Sequence, residues 1–459
     1  MKLARSALAL IFVSACAPAG TRVPFDVLSL GDDPFFGGTA TAIAVTVERG
    51  GVRDPASTTR FSPSERTLTL PPFPFGTDYS IVVETEISGL VLARGRSFPF
   101  AVTAAGADRV PDVSLGVLGR FAPAGSADAS DPFVLAAPSA EGALLVSTLG
   151  IARFLAHGAD GRPNIGARAP WPSARVGASF VALGVGVLAV GGAAPGATLV
   201  GPNGQILAEL GGADVQAIGG AALVAVDSST VLAIGGATSS GTHVDDVVRI
   251  AWDGAALSAH ALSPLPVVRA DARATLVTVH DGSSRVVIID GMSATGPLGD
   301  VVLVDPSDRN PPVSVPLATP VTGAAICALD TGLVLLAGGS SMGSVTGAVT
   351  ILLIQPSQSP VVTALSPAPP PLFRPRIDAA AVPFGPGLAL VVGGSDASGA
   401  AVGEAEIVEV SLEFITGNVV LTGTLPSPAI PTAAARLSDH TVLVAEGSAL
   451  SLYFSPRGE

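Results

Sequence analysis

The residues best placed to do chemistry in this chain are arginines and carboxylates that recur in a matched setting. Arg175-Val176-Gly177-Ala178, Arg269-Ala270-Asp271-Ala272 and Arg376-Ile377-Asp378-Ala379 share one four-residue pattern. Ile218-Gly219-Gly220-Ala221 and Val321-Thr322-Gly323-Ala324 repeat it without the arginine. Brought to one surface, Arg175, Arg269, Asp271, Arg376 and Asp378 could hold a sugar, a peptide or a cation through charge-assisted hydrogen bonds. The same groups could instead satisfy buried backbone donors and acceptors.

Other chemistries find little support. The five histidines, His157, His243, His260, His280 and His440, form no pair at the i, i+2 or i, i+4 spacing of a metal site. The acidic clusters His243-Val244-Asp245-Asp246 and Asp128-Ala129-Ser130-Asp131 lack an EF-type spacing. Lys2 is the only lysine, so no phosphate loop with its lysine exists, and no G-x-S-x-G elbow is present. Cys327 lies in the apolar run VTGAAICAL and reads as a buried, inert thiol. No catalytic residue, metal or cofactor is expected.

The matched positions imply elements that repeat. An apolar strand ending in glycine recurs at Gly150, Gly192, Gly236, Gly291, Gly339, Gly394 and Gly447, spaced 42 to 55 residues apart. About 17 residues before most of these ends comes the four-residue pattern. After each comes a loop, a second apolar strand and, in six units, a third before a proline connector. With the strand that follows the pattern, this makes four strands per unit, the content of a propeller blade. All-apolar strands suit a blade covered on both faces, and the units must stack in a ring to bury them. Seven blades are expected, with six as the alternative. The last unit lacks a fourth strand, so residues 113–121 are expected to pair with it from outside and close the ring. The proline-rich stretch 366–373 falls at a connector rather than acting as a polyproline ligand.

These units resemble kelch repeats of the galactose-oxidase-like propellers. Residues 171–192 and 373–394 carry the likeness best, in their arginine, small-residue-alanine step, apolar strand and Gly-Gly. The tyrosine and tryptophan usual in such units are missing, because the chain has only Trp171, Trp252, Tyr79 and Tyr453. The copper chemistry associated with that fold would need a Cys–Tyr cofactor, a further tyrosine and two histidines. Tyr79 and Tyr453 are too far from Cys327 along the chain's elements to supply it.

Residues 22–112 form the other part. Runs such as TAIAVTVE and YSIVVETE, broken by turn signals, predict a small immunoglobulin- or fibronectin-like β-sandwich with Tyr79 as its tyrosine corner. The fold class is therefore all-β, a sandwich over 22–112 followed by a propeller over 113–459.

The first residues read as an address. Lys2 and Arg5 precede the apolar run Ala7 to Val13, which is too short to span a bilayer. Val13-Ser14-Ala15-Cys16 resembles a bacterial lipobox. That resemblance implies a signal peptide over 1–15, a lipid on Cys16 and a linker over 16–21. No aspartate follows Cys16, which points to the outer membrane or cell surface. Two or more acyl chains would give stable anchoring. With Cys16 acylated, Cys327 has no disulfide partner.

Composition closes the case. The chain has 459 residues, 48% hydrophobic and 13% charged, with 54 glycines and 39 prolines. It is too apolar for disorder and too broken for long helices. A net charge of −13 excludes a nucleic-acid partner. The expected function is a monomeric, non-catalytic binding or scaffolding module of the cell envelope, with a protein or glycan partner. The alternative is a glycan-acting enzyme with its site on one propeller face.

Overall fold

Short apolar strands between glycine turns can bury themselves only by stacking, and this chain stacks them in a ring. The computed structural model describes residues 20–456, except 66–67, 128–130, 157–161, 214, 218, 318, 359–360, 412, 414–415 and the side chains at 54 and 55. The signal peptide, Cys16, and the expectations that fell on Asp128, His157 and Ile218 lie outside the described residues.

The fold is all-β, with seven blades, six of four strands and blade 1 of five, because Ala169–Pro170 also pairs with its third strand. Blade 1 runs through Phe133–Ser139, Gly142–Ser147, Gly150–Leu155 and Asn164–Ile165. Blade 2 is Ser179–Leu183, Gly186–Val190, Ala197–Val200 and Ile206–Leu210. Blade 3 is Ala222–Ala225, Thr230–Ile234, Val247–Trp252 and Leu257–Ala261. Blade 4 is Arg273–Thr278, Ser284–Ile289, Asp300–Val304 and Val313–Pro316. Blade 5 is Ala325–Asp330, Leu333–Ala337, Val349–Ile354 and Val362–Ala364. Blade 6 is Ala380–Gly385, Leu388–Val392, Glu404–Ser411 and Thr416–Thr424. Blade 7 takes Thr432–Arg436, Val442–Glu446 and Ala449–Phe454 from the end of the chain and Arg120–Ser126 from before blade 1. The innermost strand of each blade contacts that of the next, and blade 7 contacts blade 1.

The apolar second strands are explained by this stacking. Residues along a strand point alternately to opposite faces. Val187 and Ala189 pack toward blade 1, whereas Leu188 and Val190 pack toward blade 3. Each of the seven seams has its own buried cluster, and an eighth fills the N-terminal part.

The ring closes as expected in kind but not in place. Arg120–Ser126, not 113–121, is the outer strand of blade 7, with Phe121 opposite Tyr453 and Pro123 opposite Ser451. Asp112–Val117 belongs instead to the N-terminal sheet. It runs parallel to Asp26–Ser29 and antiparallel to Leu90–Arg96. Its Val113 and Leu115 are fully buried there. The change of sheet therefore falls at Leu118 and Gly119 rather than after residue 112.

The N-terminal strands form one hydrogen-bonded sheet in the order Asp26–Ser29, Asp112–Val117, Leu90–Arg96, Gly76–Ile87, Ala42–Arg49, Val52–Phe61. Phe100–Thr103 pairs with the start of Gly76–Ile87. Tyr79 is buried in an aromatic group with Phe73 and Phe100, ring centroids 5.7 and 6.0 Å away.

This sheet sits on one side of the ring. Arg96 reaches His440 in the first turn of blade 7 at 3.2 Å. Arg109 lies 3.7 Å from Glu141 in the matching turn of blade 1. Gly116 has no side chain because the ring of Phe454 fills that space. The turns joining first and second strands on blades 7 and 1 are thus the seat of the N-terminal sheet. The turns joining second and third strands point the other way.

Candidate functional site

The face opposite the N-terminal sheet carries the second-to-third-strand turns and the connectors between blades, and all five candidate residues lie in those connectors. The arginines follow the second of the two readings, the satisfaction of buried backbone groups. Arg175, Arg269 and Arg376 are 6%, 0% and 0% exposed, so they do not present a guanidinium to a ligand.

Each arginine instead ties its connector to its own blade. Arg175 donates to the Gly191 carbonyl at 2.7 Å, Arg269 to that of Asp290 at 3.3 Å, and Arg376 to that of Gly393 at 3.2 Å. A second partner comes from the third strand. Arg175 donates to Thr198 at 2.8 Å, Arg269 to both Asp300 oxygens at 3.0 and 3.1 Å, and Arg376 to Glu406 at 2.7 Å. The arginine backbone also links blades. The N–H of Gly236 donates to the Arg269 carbonyl at 2.8 Å, and that of Gly339 to the Arg376 carbonyl at 2.7 Å. Where blade 5 offers Val321 in place of arginine, the buried Asp290 carboxylate takes the N–H of Gly291 at 2.7 Å and also that of Gly323.

Asp271 and Asp378 are explained first by backbone. The third residue of the four-residue pattern is left-handed in every blade that has it. Its φ is 78° at Gly177, 64° at Gly220, 56° at Asp271, 65° at Gly323 and 59° at Asp378. Aspartate is among the few residues besides glycine that enter this region readily. The Asp271 N–H donates to the Gly220 carbonyl at 2.8 Å, and that of Asp378 to Gly323 at 2.9 Å, so each turn also joins two blades.

Their carboxylates remain at the surface, and here the structure adds a residue. Arg273 of blade 4 forms an ion pair with Asp378 of blade 6, passing over Gly323 of blade 5. Asp271, Arg273 and Asp378 thus mark one side of the channel mouth. Arg273 stands where blades 2, 3, 5 and 6 place Ser179, Ala222, Ala325 and Ala380. That break in a small-residue position is the signal that could have found it.

Around the mouth, the turns are uneven. Those of blades 3 to 6 are long and rich in Gly, Ser and Thr (237–246, 290–299, 338–348 and 393–403), whereas blades 7 and 1 turn tightly. Several exposed apolar side chains stand on this face, among them Val176, Val267, Phe373 and Ile430 on connectors and Leu149, Met292 and Met342 on turns, with Met342 97% exposed.

Two further titratable groups, Cys327 and Asp131, are buried in the core. Burial pushes the Cys327 thiol up to about 12, which leaves it unreactive at neutral pH. Asp131, fully buried, accepts from Thr148 at 3.2 Å and pairs with Arg168 at 2.5 Å. Among the described residues, no group of three or more His, Cys, Asp or Glu is placed to hold a metal ion. No protein-family model matches the chain, and no curated protein matches it.

Glu446 carries a measurable consequence. It is 1% exposed at the end of the second strand of blade 7. Pro428 stands four residues before that blade's first strand, where Arg376 stands in blade 6. Burial pushes the Glu446 carboxyl up to about 7, against the opposing pull of Ser451 and the Ser427 backbone. The folded chain therefore binds a proton that the unfolded chain releases near 4.5. Its stabilising contribution is full below that value and is lost as pH rises through about 7, for a total of ~3 kcal/mol. Urea unfolding from pH 4 to 8 should show this decline, and Glu446→Gln should flatten it. An unchanged slope in the variant would show that Glu446 is not the group responsible.

Proposed function

We propose that this chain is a lipid-anchored protein of the cell envelope, at the outer membrane or cell surface. Its propeller is a monomeric, non-catalytic binding or scaffolding module for an envelope protein or glycan. The blades read as degenerate kelch units and the N-terminal sheet as an immunoglobulin- or fibronectin-like sandwich. The basic start, short apolar run and lipobox-like Val13-Ser14-Ala15-Cys16 support the anchor.

One observation carries the binding role. The N-terminal sheet occupies the side of blades 7 and 1 that bears the first turns, and the chain leaves that sheet toward its own start. The opposite face carries long turns on four blades and exposed apolar tips. Exposed apolar groups gathered on one surface mark interaction sites more often than scattered ones do.

A photo-crosslinking amino acid at Met342 tests this in the native envelope, with one at Val185 as the control. Val185 is 41% exposed in a first turn on the other side. A discrete adduct is expected from position 342 and not from 185. Adducts from neither position, together with glycan turnover by the purified chain, would favour the enzyme.

A further inference from the structure

A cavity of about 720 Å³ opens in the N-terminal sheet. That size falls within the range of small-molecule sites. Val23, Phe25, Ile43, Leu70 and Val83 form its walls, and four of these belong to the buried core of the sheet. The walls are thus a continuation of the core left unfilled. Arg22, Asp26 and Glu65 stand at its exposed rim.

Two observations identify the occupant. The first is where the described chain begins. Gly20–Thr21 is fixed by pairing with Phe73–Pro74, and Arg22 is already part of the rim. Cys16 lies four residues before Gly20, a reach of at most about 14 Å. The second is the chemistry of the walls, which are aliphatic and aromatic as an acyl chain requires.

We propose that this cavity takes one acyl chain of the lipid on Cys16, leaving the other chains to hold the membrane. The proposal rests on the reading of Cys16 as the lipidation site. The bound chain completes the core beside Ile43 and Val83 and fixes the N-terminal sheet close to the bilayer.

The test compares the natively lipidated protein with the same mature chain made from residue 17 without lipid. The probe is a dansyl-labelled monoacylglycerol. The unlipidated chain should bind one equivalent and the lipidated chain at least ten-fold more weakly. Phe25→Trp, at a half-buried wall position, should transfer energy to the bound dansyl group. Ile43→Phe should weaken binding, with the melting curve confirming that it is folded. Failure of the unlipidated chain to bind would overturn the proposal. So would equal binding by a chain whose acylated Cys16 is confirmed by mass spectrometry, and the lipoprotein reading would survive that result. A mass spectrum without an acyl group on Cys16 would overturn both.

Discussion

Deleting residues 120–126 should lower the melting temperature by on the order of 10 °C or more. This segment is the only part of blade 7 that precedes the other six blades in the chain. Its pairing with Ala449–Phe454 joins the two ends of the ring. Phe121 stacks against Tyr453 with ring centroids 4.9 Å apart, and Ala122 and Ala124 are buried against Phe454 and Leu452. Burying one phenylalanine contributes ~1.5–3 kcal/mol, and the strand adds its hydrogen bonds and the burial of its alanines. The loss, at ~5 kcal/mol or more, is comparable with the whole stability of many domains. An open ring also leaves the seam between blades 7 and 1 free to part. Scanning calorimetry checks this. Deletion of Val313–Pro316, the outer strand of blade 4, is the control and should cost less, since that blade keeps three strands contiguous in sequence. Equal melting of the native and 120–126-deleted chains would show that the ring is closed some other way.

Arg376→Ala should cost ~3–5 kcal/mol, the range for breaking a buried ion pair from one side. Arg376 and Glu406 are both fully buried at 2.7 Å. Removing the guanidinium leaves the Glu406 carboxylate in the core with only the N–H groups of Phe373 at 2.6 Å and Arg374 at 3.1 Å. It also frees the Gly393 carbonyl. The double variant Arg376→Leu with Glu406→Leu should recover much of the loss, because no buried charge is then left alone. Arg175→Ala should cost less than Arg376→Ala, since its partners are the Thr198 hydroxyl and three carbonyls rather than a carboxylate. Urea titration of the three variants separates these cases. A cost below ~1 kcal/mol for Arg376→Ala, the range of a surface ion pair, would contradict its role in tying the connector to blade 6.

The repeat was legible because its physical cause is local. A strand that ends in two left-handed residues needs glycine, as at Gly338 and Gly339 with φ of 70° and 95°. That requirement writes itself into the sequence in most blades. Blade number and strand number followed from its spacing. The closing strand was harder to place. Asp112–Val117 is apolar and reads as a strand anywhere, whereas RFAPAGS is half-exposed and broken by an irregularity between Pro123 and Gly125. Apolar content therefore favoured the wrong neighbour. The repeat of the arginines is visible in the sequence, and burial against backbone groups is one of its two readings, but the choice between the two is not legible there. It depends on carbonyls that converge only when the Gly-Gly turn folds back over the connector. Asp271 and Asp378 share a position with Gly177, Gly220 and Gly323, so the left-handed backbone was visible in principle. The pairing of Asp378 with Arg273 was not, because it joins blades two apart.

Amide hydrogen exchange of the native protein, measured in its own envelope membranes and again after purification, tests most directly the claim that the face opposite the N-terminal sheet is the binding surface. Binding there predicts slower exchange in the envelope for the long turns of blades 3 to 6, with Met292 and Met342 at the centre of the effect. The first turns of blades 2 to 5, on the other side, should exchange alike in both states. Identical exchange of the long turns in both states, or protection confined to the first turns, would contradict it.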